Sequence, residues 1–166
     1  YKKVLTIFEE HFKKQPFLLG NFPSSCDFAV YGQFTQLVGF DPTPRRIAYD
    51  LSPRTVAWVS TLEDRGGLNF SEENQSLDTL SDSIHDLFKE LSTSYLPTMI
   101  ENHKAVNNNE KEWSVDLAGY AWKQKSFPYQ AKCLDWIRDE FKELDNVNQE
   151  KVLNFLLATN CRSLVE

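Results

Sequence analysis

Cysteine is scarce in this chain. Its 166 residues hold three, Cys26, Cys133 and Cys161. They are odd in number and far apart, and none forms a CxxC pair. That excludes a disulfide framework or a thiolate zinc site and points to a reducing compartment. Long apolar runs are missing too. No stretch approaches the length of a membrane span, and no signal peptide pattern appears, so a cytoplasmic chain is expected. Basic clusters are the third absence. Lys and Arg total 18 against 24 Asp and Glu, a formal charge of −6. An acidic surface repels phosphate backbones, so nucleic-acid binding is not expected, and "PRRIA" at 44–48 is the densest basic spot.

Catalytic patterns are missing as well. There is no GxSxG, HExxH or phosphate-cradling glycine loop, so no catalytic residue is assigned. His11, His85 and His103 have no cysteine or carboxylate at ligand spacing. They are read as polar surface residues, with no metal site. Two short glycosylation patterns, Asn69-Phe-Ser71 and Asn74-Gln-Ser76, are set aside because the cysteine usage argues against secretion.

Rings are abundant: 12 Phe, 6 Tyr and 4 Trp, in a chain that is 41% hydrophobic. Disorder is excluded, and 166 residues suffice for one domain, 1–166, with a core of large side chains. Tyr1, Val4, Leu5, Phe8 and Phe12 form one stripe, predicting an amphipathic helix that Pro16 stops. Next, "LLGNFPSSCDFAVYGQF" (18–34) reads as a specified helix start. Ser24 is the N-cap, and Asp27, three residues on, completes a reciprocal capping box. Phe28, Ala29, Val30, Tyr31, Phe34, Leu37 and Val38 follow, apolar nearly all round, which predicts an enclosed helix. Gly32 within it predicts a close helix crossing. Cys26 lies in the first turn, where thiols are acidified, but Asp27 opposes that and packing is the reading adopted.

Further on, "DPTP" (41–44) reads as a turn. Ser52-Pro53 starts a helix that Gly66-Gly67 ends. Leu77, Leu80, Ile84, Leu87, Leu91 and Tyr95 predict a long helix over 71–96, interrupted at Pro97. Alternation around Trp113, Val115, Leu117, Tyr120 and Trp122 predicts a small β-hairpin near 112–125, an extended loop being the alternative. Leu134, Ile137, Phe141 and Leu144 continue a helical rhythm. Asn146 with Gln149 reads as a weaker cap, and Asn160 as a left-handed stop. The fold class is all-α: a bundle of about six helices with one hairpin. The aromatics over 113–129 read first as packing for the hairpin and second as the wall of an apolar pocket. The pocket residues put forward are Tyr31, Phe34, Phe127 and Tyr129.

The order of these features resembles the C-terminal helical domain of glutathione S-transferases. The resemblance rests on Gly20, Ser24-Ser25-Cys26-Asp27 and the helix from Phe28, then "DPTP", "PRTVAWVSTLED" (53–64) and "GYAWKQKSFPYQAKCLDWIRDEF" (119–141). It is similar to a bacterial branch of that superfamily and implies structural roles for Ser24 and Asp27. The resemblance also implies an N-terminal thioredoxin-like domain as partner, glutathione as the cofactor of the longer parent, and a homodimer. Residues 1–14 resemble the second helix of the family's domain, and the chain starts at Tyr1 rather than Met. A fragment is therefore expected, with no cofactor of its own. The alternative is a non-catalytic helical interaction module.

Overall fold

The computed structural model describes residues 1–65 and 76–166. Among them are eight α-helices and one two-stranded antiparallel sheet. That is two helices more than the periodicity predicts: one helix starts at the proline-rich segment read as a turn, and one apolar stripe is broken at Ser94. The chain divides into two compact units, Tyr1–Leu87 and Phe88–Glu166, each taken here by itself.

The first unit begins with α1 (Lys2–His11), which buries Leu5 and Phe8 and packs on α3 (Pro42–Leu51) and α4 (Pro53–Glu63). Phe12 stacks on Trp58 of α4 with centroids 4.9 Å apart. Phe8 meets Phe34 of α2 (Ser25–Phe34) at 5.5 Å. Burying each such ring is worth about 1.5–3 kcal/mol, so these contacts, not helix propensity, fix α1 in place. Glu9 ties α1 to the start of α4. One carboxylate oxygen accepts the Arg54 N–H (3.0 Å) and the Ser52 hydroxyl (3.3 Å), and the other meets the Arg54 guanidinium at 2.6 Å. Burial would raise the Glu9 carboxyl, but the Arg54 bonds and charge outweigh it and hold it below its ordinary value.

The expectation that α2 is enclosed needs correction. Asp27, Phe34 and Val38 are buried, but Phe28 is 49% and Phe40 81% exposed. Gly32 admits no crossing helix: a Cβ there would meet nothing within 4 Å. After Phe34 the backbone widens into a π-helical stretch, Thr35–Phe40, whose Asp41 N–H reaches back to the Gln36 carbonyl at 2.8 Å. "DPTP" is a helix start, not a turn. Asp41 Oδ1 accepts the Thr43 N–H (3.1 Å), and Pro42 takes the first helical position, where an N–H would go unused. Tyr1 donates its hydroxyl to the Pro44 carbonyl at 3.0 Å, holding α1 beside this start. Ser52-Pro53 opens α4 as expected, although the Ser52 hydroxyl bonds the Thr55 hydroxyl at 2.6 Å and not a cap N–H. Gly66-Gly67 lies outside the described residues, and so do both glycosylation patterns save for Ser76.

Of the helix expected over 71–96, residues 71–75 lie outside the described residues. Leu77–Thr79 form a single 3-10 turn, α5 runs over Asp82–Thr93, and its stripe continues into α6 (Tyr95–Asn107). The break falls at Ser94 and not at Pro97. Pro97 occupies the first turn of α6, where its missing N–H costs nothing. In the second unit Leu96, Leu156 and Cys161 form a core, against which Phe88 and Phe155 pack edge to face at 4.9 Å. Strands β1 (Glu112–Leu117) and β2 (Tyr120–Lys125) pair through a two-residue turn. Ala118 and Gly119 both have positive φ, as such a tight hairpin demands. α7 (Pro128–Glu143) and α8 (Asn146–Ala158) follow. The α8 cap is Asp145, not Asn146: its carboxylate accepts the Asn148 N–H at 2.9 Å. Gln149 instead donates to the Phe141 and Lys142 carbonyls, satisfying the end of α7. Asn160, at φ 59°, terminates α8 in the left-handed region.

One side chain organises this unit. Asn102 of α6 is wholly buried. Its Oδ1 accepts the Trp113 indole N–H (3.1 Å) and the Phe127 N–H (2.8 Å), and its Nδ2 donates to the Phe127 carbonyl (3.0 Å). One amide thus pins β1 and the entry to α7 onto α6.

Candidate functional site

The capping box at Ser24 and Asp27 is formed with both arms present. The Asp27 carboxylate is entirely buried. Its Oδ2 accepts the Ser24 N–H (2.9 Å) and the Ser24 hydroxyl (2.6 Å), while its Oδ1 accepts the Leu18 N–H (2.8 Å). The Leu18 bond reaches nine residues back, so the carboxylate fastens the loop before α2 as well as the helix start. A buried carboxylate is tolerable when both of its oxygens accept hydrogen bonds, as here. The thiol of Cys26 sits 2.9 Å from the Ser24 hydroxyl. Burial pushes it above its ordinary range, the Ser24 bond opposes, and the Asp27 charge adds to the rise. A thiol so raised is a poor nucleophile. Cys161 is raised by burial in the same way.

His11 corrects the sequence reading. It is 1% exposed, not a surface residue. Its Nε2 lies 3.0 Å from the Phe17 carbonyl and its Nδ1 2.8 Å from the Ser83 hydroxyl. The signal was present: His11 is three residues beyond Phe8 and shares its stripe. His103 meets Asp135 at 2.7 Å, joining α6 to α7.

Of the four proposed pocket residues, Tyr31 and Phe34 belong to the first unit and Phe127 and Tyr129 to the second. Phe34 is buried against Phe8 and Tyr1, and Tyr31 is half-buried. Phe127 and Tyr129 are exposed at the start of α7, their rings 6.4 Å apart, and Tyr129 stands edge-on to Trp136 at 6.0 Å. Concavities occur at other residues. In the first unit one of about 210 Å³ is walled by Phe12, Pro16 and Trp58 with Arg54 and Arg65 beside them. In the second unit one of about 450 Å³ lies between α6 and the hairpin, with Glu101–Lys104 and Glu112–Lys123 ion pairs on its walls. Among the described residues no group of three or more His, Cys, Asp or Glu side chains is placed to hold a metal ion. No described helix is long and apolar enough to cross a membrane.

A buried carboxylate that caps a ring-rich helix, behind a loop that turns at Gly20, is the most specific feature of the first unit. Residues 1–65 match the family model of the glutathione S-transferase C-terminal domain. The match spans α1 to α4 and covers less than half of the chain. No curated protein and no solved structure gives a match. The mostly helical architecture with one small hairpin is consistent with a glutathione S-transferase C-terminal-like fold. The matched segment contains Ser24, Asp27, Tyr31, Phe34 and His11. Phe127, Tyr129 and the "GYAWKQKSFPYQAKCLDWIRDEF" stretch lie beyond it.

Proposed function

We propose that this chain is the helical portion of a glutathione S-transferase-like protein. In that protein a glutathione thiolate attacks an apolar electrophile. This chain supplies scaffold and, through the α2 side that carries Tyr31, part of the apolar wall. A thioredoxin-like domain holds glutathione and activates its thiol. The observation that carries the reading lies on α2 and the π-helical stretch that follows it. Phe28 of α2 and Phe40 of the π-helical stretch after it, both within the family match, stand open to solvent, and exposed rings of this size call for a cover. The test is conjugation of glutathione to a chlorodinitrobenzene, by this chain alone and by the full natural reading frame. Turnover is expected only from the latter. Robust turnover by the chain alone overturns the division of labour, and none from either overturns the transferase reading.

One observation favours a second reading, a non-catalytic interaction module. Tyr120 and Trp122 of the hairpin and Tyr129 and Trp136 of α7 are all exposed. Rings of this kind are enriched where proteins meet partners.

A further inference from the structure

A second chemical grouping lies at the start of α5, apart from the capping box. The Ser83 hydroxyl is 2.8 Å from His11 Nδ1. On the other side of the ring, Nε2 is 3.0 Å from the Phe17 carbonyl. A carbonyl only accepts, so Nε2 carries the proton and Nδ1 presents a lone pair to Ser83. Ser81 stands 2.9 Å from the Ser83 hydroxyl and 3.3 Å from Nδ1, so Ser83 holds the better claim on the imidazole. Burial keeps His11 neutral by lowering its pKa, against the Phe17 carbonyl and the charge of Asp27. That same charge favours an imidazolium once one forms. A neutral ring of fixed tautomer, a hydroxyl in bonding contact and a nearby negative charge are the elements of a nucleophile–base pair. Ser83 is partly exposed and sits in the first turn of α5, where peptide N–H groups and the helix dipole favour a developing oxyanion.

We propose that Ser83 is a nucleophilic hydroxyl activated by His11, with small activated esters or thioesters as its substrates. The Ser83 oxygen forms a bond to the acyl carbon as its proton passes to His11 Nδ1. The bond from that carbon to the alkoxide or thiolate breaks, and the leaving group takes the proton from His11. Water then attacks the seryl ester, His11 accepting its proton and returning it to the Ser83 oxygen. The net reaction is hydrolysis to a carboxylic acid and an alcohol or thiol.

The experiment treats the intact chain with a fluorophosphonate, whose fluoride is displaced by a serine oxygen, and maps the modified peptide by mass spectrometry. The expected result is a label on Ser83, formed about 10²-fold faster than in the urea-unfolded chain. Ser83→Ala removes it, and His11→Gln slows it by a similar factor. Removing a buried histidine can unfold the chain, so the folded-to-unfolded ratio on the natural sequence is the deciding measurement. A structural tie between α1 and α5 would leave Ser83 unlabelled, or labelled equally fast folded and unfolded. Either result overturns the proposal.

Discussion

Each unit has a buried polar side chain that fastens a loop through three hydrogen bonds, and the two hubs differ in kind. In the first, Asp27 accepts from Ser24 twice and from Leu18 once. In the second, Asn102 accepts from Trp113 and Phe127 and donates to Phe127. Both fasten a loop to a helix at a place closed to bulk solvent. Asp27 is acceptor-only and faces three donors. Asn102 must face both, because the Phe127 peptide offers its N–H and its carbonyl to one amide. The chemistry of each hub follows from what the loop presents, so the two side chains are isosteres that cannot be exchanged.

The largest expected effects come from emptying or swapping these hubs. Asp27→Ala strands two N–H groups and a hydroxyl in a dry site and should cost about 3–5 kcal/mol, with Asn102→Ala following at about 2–4 kcal/mol. The isosteric swaps sharpen the comparison. Asp27→Asn turns an amide N–H toward a donor. Asn102→Asp aims a carboxylate at the Phe127 carbonyl and buries an uncompensated charge. Urea denaturation midpoints measure all four. If either swap leaves the midpoint unchanged, that hub is not set by its donor count.

The contrast also marks what was legible in the sequence. Most of the Asp27 hub lies within three residues, so Ser24-x-x-Asp27 announced it. Only the Leu18 bond, nine residues back, was hidden. The partners of Asn102 lie 11 and 25 residues on, and no local pattern encodes such a bond. Helix positions followed the apolar stripes closely for α1, α4 and α7. Helix ends were harder, because Pro42 and Pro97 open helices and the spacing read them as stops. The enclosed-helix reading of α2 failed for a different reason. Apolar residues all round say that each face can be covered, not that this chain covers it, and Phe28 and Phe40 stand open. Aromatic density likewise pointed to Phe127 and Tyr129 without saying that they would face solvent.

A smaller effect comes from acid. Burial lowers the His11 pKa below its unfolded value of 6.5. The unfolded chain therefore binds the proton more readily. The stability this contributes is fully present above pH 6.5 and is lost as pH falls from there through the lowered folded value. The loss stays below that of Asp27→Ala. A charged His11 keeps its Phe17 bond, and the Ser83 hydroxyl can turn to accept from Nδ1–H. Urea midpoints at pH 7.5 and pH 5.5 should differ for the natural chain, and the difference should shrink in His11→Asn. The Asn102 unit offers no such buried titrating partner on its hub, so Asn102→Ala should leave the pH dependence intact.

The smallest effect has the opposite sign. Gly32 sits inside α2 with ordinary helical backbone, and an added Cβ would meet nothing within 4 Å. Glycine in a helix interior carries excess unfolded-state entropy, so Gly32→Ala should stabilise this chain by about 0.5–1 kcal/mol. For a chain of this size that is a rise in Tm of about 1–4 °C. The same substitution reads the open face of α2. If a further domain covers Phe28 in the natural protein, the Cβ at position 32, one helical turn along α2, lies beside that cover. The gain should then vanish or reverse in the full natural reading frame. An equal gain in both contexts would mean that this side of α2 stays open, and the cover proposed for it would have to be sought elsewhere.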